Sequence, residues 1–438
     1  MKNTTERASE RAILVGIDLR SRLVTSRTLV NPEESLDELA SLAATAGAEV
    51  LDRVIQVRQS AEAATLVGSG KVSELEGMVK GLEADVVIFD NELTPTQQRN
   101  LEKALGAKVV DRTQLILDIF ASRARTREGQ MQVELAQLNY ALPRLAGRGI
   151  EMSRLGGGIG TRGPGETQLE TDRRRIFRRI RKIEADLEQV KAGRAIQRRQ
   201  RVEVPLATLG LVGYTNAGKS TLFNRLTGSD VVADARLFAT LDPTVRHLVL
   251  PSRREVLLSD TVGFIRNLPT TLVKAFRATL EEVRQAALLL HVVDISSPHA
   301  EDHAKQVLDV LHEIEADETP QILVLNKAEL LPGGELEVET AANRLLGERA
   351  ATSRTKAVGV SALTGAGMDR LLALVDQELP ADPLERTVFR ISAADGANMH
   401  ILHEHAHVCE VRYQDDECYL VADAPESLRR RLREFVVQ

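Results

Sequence analysis

The feature that most constrains the fold of this chain is a phosphate-binding loop, Gly213-Tyr214-Thr215-Asn216-Ala217-Gly218-Lys219-Ser220. An apolar run precedes this loop and a helix-like segment beginning at Thr221 follows it, which is the context that the motif requires. In such a loop the backbone N–H groups surround a polyphosphate, the lysine reaches the terminal phosphates, and the serine hydroxyl binds magnesium. The motif therefore predicts an α/β nucleotide-binding domain.

Two further stretches follow in the order that phosphoryl-transfer chemistry needs. The first is a segment predicted to change shape with the nucleotide, Phe238-Ala239-Thr240-Leu241-Asp242. The second ends an apolar strand, Asp260-Thr261-Val262-Gly263. We predict Ser220, Thr240 and Asp260 as magnesium ligands, with Asp260 acting through a water molecule. Lys219, Thr240 and Gly263 are predicted to position the phosphates, and no general base is identifiable.

Two stretches that each follow an apolar strand are predicted to contact the base, Asn326-Lys327-Ala328-Glu329 and Ser361-Ala362-Leu363. The first motif usually ends in aspartate, whose oxygens accept hydrogen bonds from guanine N1 and N2. Here Glu329 is one methylene longer. Because adenine would leave the carboxylate unpaired, such a site can reject the wrong base by roughly 10⁴-fold. We therefore predict a preference for guanine.

A glycine-rich stretch precedes the nucleotide-binding motifs, Arg162-Gly163-Pro164-Gly165-Glu166-Thr167-Gln168-Leu169-Glu170-Thr171-Asp172. With this stretch, the arginine-rich helix after it and the motifs above, the chain resembles the HflX family within the Obg-HflX-like superfamily of translation-factor-related GTPases. The resemblance implies a GTPase that binds the large ribosomal subunit and its RNA. It also implies a role in ribosome dissociation or recycling under stress, with hydrolysis stimulated by the ribosome.

Two side chains bear on the rate of hydrolysis. Phe264 stands where many GTPases carry a glutamine that orients water, as it does in the resembled family, and an apolar ring cannot hydrogen-bond to water. Hydrolysis by the protein alone is therefore expected to be slow. Asn216 resembles the asparagine of GTPases that recruit potassium beside the phosphates, so K⁺ is a candidate cofactor beside Mg²⁺. A simple role in the turn is the open alternative for Asn216.

The 438 residues exceed what one hydrophobic core supports, and the pattern predicts a multidomain α/β protein. We predict an N-terminal α/β domain with a parallel sheet, a long helical hairpin with a glycine-rich loop and a basic helix, a doubly wound G domain with a mostly parallel sheet, and a small C-terminal α+β domain. Their predicted bounds are residues 1–125, 126–203, 204–380 and 385–438.

A second glycine-rich turn, Gly68-Ser69-Gly70-Lys71, lies in the N-terminal domain. It lacks the first glycine and the final serine or threonine of a phosphate-binding loop, so a turn into a helix is the better explanation. The rival function is an ATP-dependent protein that remodels RNA or the ribosome, with a second nucleotide site in this domain.

Arginine dominates the helix after the glycine-rich loop. A run of charge is often only a solvated face, but guanidinium groups suit phosphate contacts. Because aromatic residues make up only 3% of the chain, base stacking cannot contribute much to RNA binding. Recognition would depend on the shape of the RNA and on its phosphates. The predicted RNA-binding residues are Arg154, Arg162, Arg173, Arg174, Arg175, Arg178 and Arg179. A non-ribosomal GTPase whose basic helix binds an acidic protein remains a third interpretation.

The remaining sequence features bear on the cellular compartment of the protein and on a possible metal site. The sequence contains neither a membrane-spanning run nor a secretory signal, so we expect a cytoplasmic protein, with peripheral membrane association left open. We also expect a monomer rather than an obligate oligomer, with GTP and GDP as ligands and no DNA partner. Cys409 and Cys418 are expected to be buried and not disulfide-bonded. His400, His403 and His407 could share a helix face near Cys409, where packing or solvation is favoured over a metal site.

Overall fold

Three β-sheets organise the part of the chain that the computed structural model describes. That part comprises residues 9–19, 32–145, 164–201, 206–229, 237–238, 244–266, 282–332, 334–346, 356–379, 384–414 and 416–437. The described residues form two compact units. The first contains the residues up to Glu188 together with Leu237 and Phe238, and the second contains the rest. None of the described helices is both long and apolar enough to cross a membrane.

The first unit begins with a parallel sheet whose strands alternate with helices. The strands are β1 (Arg11–Leu19), β2 (Glu49–Arg58), β3 (Val86–Phe89) and β4 (Lys108–Asp111). The helices are α1 (Pro32–Ala46), α2 (Ser69–Leu82), α3 (Pro95–Leu105) and α4 (Arg112–Arg123). The strand order is β2-β1-β3-β4 and every pair is parallel, which confirms the predicted fold class.

Local signals explain why these helices start where they do. The hydroxyl of Thr94 accepts from the Gln97 N–H while the Gln97 side chain accepts from the Thr94 N–H, which forms a capping box before Pro95. The Asp111 carboxylate caps α4 in the same way, by accepting from the Gln114 N–H. Both helices therefore begin directly after a residue whose side chain caps them.

Two long helices follow, α5 (Arg127–Leu145) and α6 (Pro164–Arg201), of which α6 belongs to the first unit up to Glu188. Arg179 of α6 donates two hydrogen bonds of 2.6 Å to the Glu134 carboxylate of α5, which ties the helices together. Near the other end of α5, Arg144 donates to the carbonyl oxygen of Leu93 across 2.7 Å and to Asp111 across 3.2 Å. These contacts anchor α5 on the parallel sheet.

The second unit is built on a six-stranded sheet. Its strands are β5 (Thr208–Gly213), β6 (Thr244–Val249), β7 (Glu255–Asp260), β8 (Leu288–Asp294), β9 (Gln321–Asn326) and β10 (Lys356–Gly359). Its helices are α7 (Lys219–Thr227), α8 (Ala300–Glu313), α9 (Gly334–Leu346) and α10 (Met368–Glu378). The order is β10-β9-β8-β5-β7-β6, with only β6 antiparallel. The motifs predicted to bind nucleotide follow the carboxyl ends of β5, β7, β9 and β10.

A second, antiparallel sheet in this unit is formed by the C-terminal residues. Its strands are β11 (Leu384–Ser392), β12 (His407–Gln414), β13 (Glu417–Pro425) and β14 (Val436–Val437), in the order β12-β13-β11-β14. Its helices are α11 (Gly396–His405) and α12 (Glu426–Arg431). The small α+β fold predicted for this region is confirmed.

Two expectations about this C-terminal sheet are wrong. Cys409 is exposed on β12 and only Cys418 is buried, although neither forms a disulfide. His407 lies on β12, so it does not share a helix face with His400 and His403 of α11. The reason is that α11 ends at Ala406, whose extended backbone (φ −133°, ψ 152°) starts the strand.

Several predictions fall on residues outside the described part of the chain. These are Arg154, Arg162, Ala239, Thr240, Leu241 and Asp242. The bounds of the four predicted domains also stay predictions.

Candidate nucleotide-binding site

The phosphate-binding loop connects β5 to α7, with Thr221 in the first turn of the helix. Gly218 adopts a φ of 90°, and a Cβ at this position would lie 2.2 Å from Nδ2 of Asn326. Any larger residue would therefore collide with a side chain of the predicted base-contacting motif. The glycine of the motif is explained by this close approach.

The side chain of Lys219 is held inside the loop. Its Nζ donates to the carbonyl oxygens of Gly213 across 3.0 Å and Tyr214 across 2.7 Å. Burial lowers the pKa of the Lys219 ammonium to about 8, while the negative charge of Asp260 acts in the opposite direction. A buried ammonium group at this position can contact the negatively charged oxygens of a bound phosphate.

Ser220 and Asp260 meet between α7 and the end of β7. The Ser220 hydroxyl donates to Oδ2 of the fully buried Asp260 carboxylate across 2.9 Å. Hydroxyl and carboxylate oxygens are ligands that Mg²⁺ prefers. This pair fits a magnesium site beside the phosphates.

The residues after Asp260 are hydrogen-bonded to the phosphate-binding loop. The Thr215 N–H donates to the Phe264 carbonyl across 2.7 Å, and the Phe264 N–H donates to the Gly213 carbonyl across 3.1 Å. The Arg266 N–H donates to the Tyr214 hydroxyl across 2.8 Å. We call residues 264–266 the paired segment. It follows directly on Thr261, Val262 and Gly263, which are buried or tightly packed.

Gly263 lies directly beside the lysine. A Cβ at Gly263 would be 2.9 Å from Nζ of Lys219 and 3.0 Å from the Cα of Thr215. The neighbouring Phe264 ring is 2% exposed, so it is packed in the protein and cannot hold a water molecule by hydrogen bonding. The structure thus brings Lys219, Gly263 and Ser220 around one small volume.

Tyr214 carries a contact that the sequence did not indicate. Its ring stacks on the ring of His303 in α8, with 3.9 Å between centroids and 8° between planes. The stack holds the tyrosine hydroxyl where it accepts from the paired segment. No sequence signal links these two residues, because they are far apart along the chain.

Asn326 joins three of the predicted motifs. Its Nδ2 donates to the Ala217 carbonyl across 2.8 Å, and its Oδ1 accepts from the Ala362 N–H across 3.0 Å. The amide is 2% exposed. Asn326 therefore fixes the distance between the phosphate-binding loop and the loop of residues 361–363.

The rest of the asparagine motif is less buried than Asn326. Lys327 forms an ion pair of 2.6 Å with Asp294 at the end of β8. Ala328 and Glu329 belong to a short 3-10 helix, Ala328–Leu330, and the Glu329 side chain is exposed. A carboxylate in this position is open to the edge of a base.

The loop Ser361-Ala362-Leu363 is held by an arginine of α7. Arg225 donates to the Ala362 carbonyl across 3.2 Å and also to the Leu363 carbonyl. Ser361 accepts from the Thr364 N–H across 3.0 Å, and Leu363 is 69% exposed. Sequence reasoning missed Arg225, although it positions a predicted base-contacting loop.

Asn216 occupies the tip of the phosphate-binding loop. It has a φ of 61°, which asparagine tolerates better than most residues, and its side chain is exposed. This geometry suits the role in a turn, and it leaves the side chain accessible to an ion.

The segment predicted to change shape with the nucleotide is described only at its start. Phe238 is 2% exposed and packs edge-on against Phe120 of α4, with 4.5 Å between ring centroids. The N–H of Leu237 donates to the Thr45 hydroxyl across 3.3 Å. Phe238 therefore belongs to the core of the first unit, and its contact with the nucleotide stays a prediction.

The described arginines of the basic helix differ in their contacts. Arg174 forms an ion pair with Glu170, and Arg175 forms one with Asp172, all on the same helix. Arg179 instead forms an ion pair with Glu134 of α5. Arg173 and Arg178 make no ion pair with any other described residue. All five side chains are exposed and follow one another along α6.

The second glycine-rich turn lies at the start of α2. Gly68 is its N-cap, and Lys71 forms an ion pair of 2.7 Å with Glu74 one turn later. This lysine is therefore engaged within its own helix.

Comparisons with known proteins cover nearly the whole chain. Three family models match it: the N-terminal region of GTP-binding GTPases over residues 33–121, their middle region over residues 123–201, and the 50S ribosome-binding GTPases over residues 208–327. GTPase HflX of Caldanaerobacter subterraneus subsp. tengcongensis is 47% identical over 431 residues, which is 98% of this chain and 95% of that protein.

Two further relatives are more distant. GTPase HflX of Escherichia coli (strain K12) is 45% identical over 381 residues, 87% of this chain and 85% of that protein. The crystal structure of a GTP-binding protein from Sulfolobus solfataricus in complex with GDP is 24% identical with a TM-score of 0.44, over 84% of this chain and 98% of that one.

Proposed function

This chain belongs to the HflX family of GTPases, and from that premise we propose that it is a molecular switch that acts on the ribosome. It hydrolyses GTP to GDP and phosphate. In the GTP-bound state it binds the large ribosomal subunit, and it promotes dissociation or recycling of ribosomes under stress. It acts in the cytoplasm as a monomer and has no DNA partner.

The observation that carries the proposal is the pairing between the phosphate-binding loop and the paired segment, residues 264–266. Three hydrogen bonds hold this segment against Gly213, Tyr214 and Thr215. Gly263 lies so close to Lys219 that a γ-phosphate on this lysine must lie directly against the glycine. The presence of a third phosphate therefore changes the position of the segment, which is the essential property of a switch.

Mg²⁺ is the proposed metal cofactor, and it would be held by Ser220, by Thr240 and, through water, by Asp260. When bound, it would neutralise charge on the phosphate oxygens. K⁺ beside Asn216 is a second proposed ion, which would add positive charge near the loop. The oxygen of Ser220 could bind the ion through a lone pair while its proton stays hydrogen-bonded to Asp260, so the hydrogen bond of 2.9 Å between them is compatible with both roles.

Hydrolysis depends on how the phosphates are positioned and on how their negative charge is stabilised. Lys219 places its ammonium against the terminal phosphates, and Thr240 and Gly263 complete the set of groups that orient them. No described side chain near Gly263 is a general base, and the buried Phe264 ring cannot orient the attacking water. We therefore propose slow hydrolysis by the protein alone and faster hydrolysis when the ribosome orders the site.

The ribosome contact is assigned to the arginines of α6. Arg173 and Arg178 make no ion pair with another described residue, although Nε of Arg178 donates to the Arg174 carbonyl across 3.3 Å. The ion pairs of Arg174 and Arg175 are exposed and of a kind that contributes little stability. These four guanidinium groups can therefore bind RNA phosphate at low cost. Arg179 holds Glu134 and fixes the helix. Arg154 and Arg162 would extend the surface.

The test is sedimentation of the purified chain with large ribosomal subunits in three states: with a non-hydrolysable GTP analogue, with GDP, and without nucleotide. We expect association with the analogue only, weakened by roughly 10³-fold between low and physiological salt if several phosphates are contacted. Arg173→Gln with Arg178→Gln should weaken association. Arg412→Gln with Arg430→Gln, which changes two exposed arginines on β12 and α12, is the control. Equal association in all three states would contradict the proposal.

The ATP-dependent alternative would use the second glycine-rich turn, where Lys71 pairs with Glu74. Competition between GTP and ATP for the purified chain separates the two functions. Similar affinities at the phosphate-binding loop would favour the alternative.

A further inference from the structure

Three side chains with metal-binding atoms meet on the outer face of the C-terminal sheet. His407 and Asp423 are direct register partners on β12 and β13. The register skips one residue between Val408 and Glu410, so Cys409 is the extra residue of a β-bulge next to this pair. The bulge brings an imidazole nitrogen, a thiol sulfur and a carboxylate oxygen to one point on the surface.

The distances between these atoms are those of ligands around one small ion. His407 Nδ1 is 3.5 Å from Cys409 Sγ, Cys409 Sγ is 3.7 Å from Asp423 Oδ2, and His407 Nδ1 is 4.0 Å from Asp423 Oδ2. Around tetrahedral zinc, with bonds of about 2.3 Å to sulfur and about 2.0–2.1 Å to nitrogen or oxygen, ligand atoms are roughly 3.3–3.6 Å apart. The distance from His407 Nδ1 to Asp423 Oδ2 must shorten by about 0.7 Å and that from Cys409 Sγ to Asp423 Oδ2 by about 0.1 Å. The side chains of His407 and Asp423 are exposed and partly exposed.

We propose that His407, Cys409 and Asp423 form a binding site for a zinc ion. Sulfur, imidazole nitrogen and carboxylate oxygen together suit zinc, whereas Mg²⁺ and Ca²⁺ prefer oxygen ligands alone. The Cys409 thiol releases its proton to solvent as the zinc–sulfur bond forms, and no electron is transferred. Three protein ligands leave the fourth position to water or to a group from a partner.

Arg386 of β11 already orients the carboxylate. Its Nε donates to Oδ1 of Asp423 across 2.9 Å, and its Nη2 donates to Oδ2 across 3.1 Å. Zinc takes Oδ2 and replaces the second of these bonds, while the first remains. A carboxylate held between a metal and a hydrogen-bond donor is the usual arrangement around metal ligands.

The buried side of the same sheet supplies a matched control. Cys418 lies on β13 with its side chain fully buried in the core of the C-terminal sheet. It is the only other cysteine of the chain. A cysteine substitution at either position removes one thiol, but only Cys409 is placed to bind an ion.

The test uses the full chain without an affinity tag. Co²⁺ is titrated into the protein and then displaced by Zn²⁺, with the thiolate-to-cobalt charge-transfer absorption as the signal. We expect one ion per chain and an absorption band that Cys409→Ser abolishes. His407→Ala and Asp423→Asn should weaken binding by more than the roughly 10–100-fold that loss of a ligand's hydrogen-bond partner costs. Cys418→Ala should leave both the band and the affinity unchanged.

The outcomes that overturn the proposal are equally specific. They are the absence of the band in the wild-type chain, its persistence in Cys409→Ser, or its loss in Cys418→Ala while the variant unfolds at the wild-type temperature. Binding of zinc with equal affinity by the wild type and all three ligand variants would show adventitious surface binding and would also overturn it.

Discussion

The hydroxyl of Ser220 donates a hydrogen bond of 2.9 Å to the buried carboxylate of Asp260. This contact joins the end of the phosphate-binding loop to the end of β7 before any ion is present. Both groups are proposed to serve the same magnesium ion. The contact therefore holds two of its ligands together in advance, which lowers the cost of ordering them on binding.

Ser220→Ala should remove the dependence of GTP binding on Mg²⁺. The affinity measured with Mg²⁺ should fall by about 10–100-fold or more, because a group that binds the ion is lost. Without Mg²⁺ it should change little. Ser220→Thr keeps a hydroxyl and is the control, measured by fluorescence titration of a labelled nucleotide. A magnesium dependence that survives in Ser220→Ala would contradict the assignment.

Burial of Lys219 predicts a proton-linked binding step. Because the pKa of this lysine is lowered to about 8, most of the nucleotide-free protein has a neutral Lys219 above that pH. Phosphates favour the charged form, so GTP binding at about pH 9 should take up nearly one proton. The affinity should fall by up to about tenfold per pH unit above pH 8 and should not change through this group below about pH 7.

The measurement for Lys219 is calorimetry in two buffers that differ in ionisation enthalpy. Lys219→Arg is the control, since arginine stays charged throughout and should remove the proton uptake. Identical heats in both buffers at about pH 9 for the wild type would contradict the prediction.

The sequence predicts those features of the structure whose signal lies within a short stretch of the chain. The parallel α/β fold of the N-terminal domain could be predicted, because turn residues and apolar runs are local signals. The phosphate-binding loop was found because its backbone geometry demands particular residues at fixed spacing. These parts of the fold needed no information about distant contacts.

The features that were missed are long-range contacts. Arg225 is 137 residues from Ala362, and nothing near either residue indicates the pair. The prediction that Cys409 is buried was wrong because β12 is an edge strand with a bulge. The bulge interrupts the alternation of buried and exposed side chains from which burial in a strand is predicted. Only the register between β12 and β13 shows that Cys409 lies beside Asp423.

Arg225→Gln should loosen the loop of residues 361–363. Two hydrogen bonds to carbonyl oxygens are weakened or lost at an exposed position, which we expect to cost about 1 kcal/mol, or roughly fivefold in affinity for both GTP and GDP. Arg225→Lys, which keeps the charge, should show a smaller loss. Equilibrium titration with labelled GDP measures the effect, and unchanged affinity in Arg225→Gln would exclude this role.

Glu329 should decide between guanine and adenine. Glu329→Gln removes the carboxylate that can accept from guanine N1 and N2, so the ratio of GTP to ATP affinity should fall by at least about tenfold. Glu329→Asp retains the carboxylate and should keep or increase the ratio. Competition of each nucleotide against a labelled GTP analogue gives the ratios. A ratio unaffected by Glu329→Gln would place base recognition elsewhere.

The contact between Phe120 and Phe238 should be measurable as a coupling energy. Each ring is buried, so Phe120→Ala and Phe238→Ala should each destabilise the first unit, by about 3–5 kcal/mol for a well-packed ring. Because the rings pack edge-on with 4.5 Å between their centroids, the double variant should lose about 0.5–1.5 kcal/mol less than the sum. Chemical denaturation of the four proteins gives this cycle.

The same cycle can show whether Phe238 moves with the nucleotide. Its φ of 58° is unfavourable for an aromatic residue, so the packing against Phe120 must offset backbone strain. Thr240, two residues later, is the proposed magnesium ligand in the GTP-bound state. We therefore expect the coupling energy to shrink when the cycle is repeated with a saturating non-hydrolysable GTP analogue. An equal coupling with and without the analogue would mean that Phe238 stays in the core of the first unit in both states.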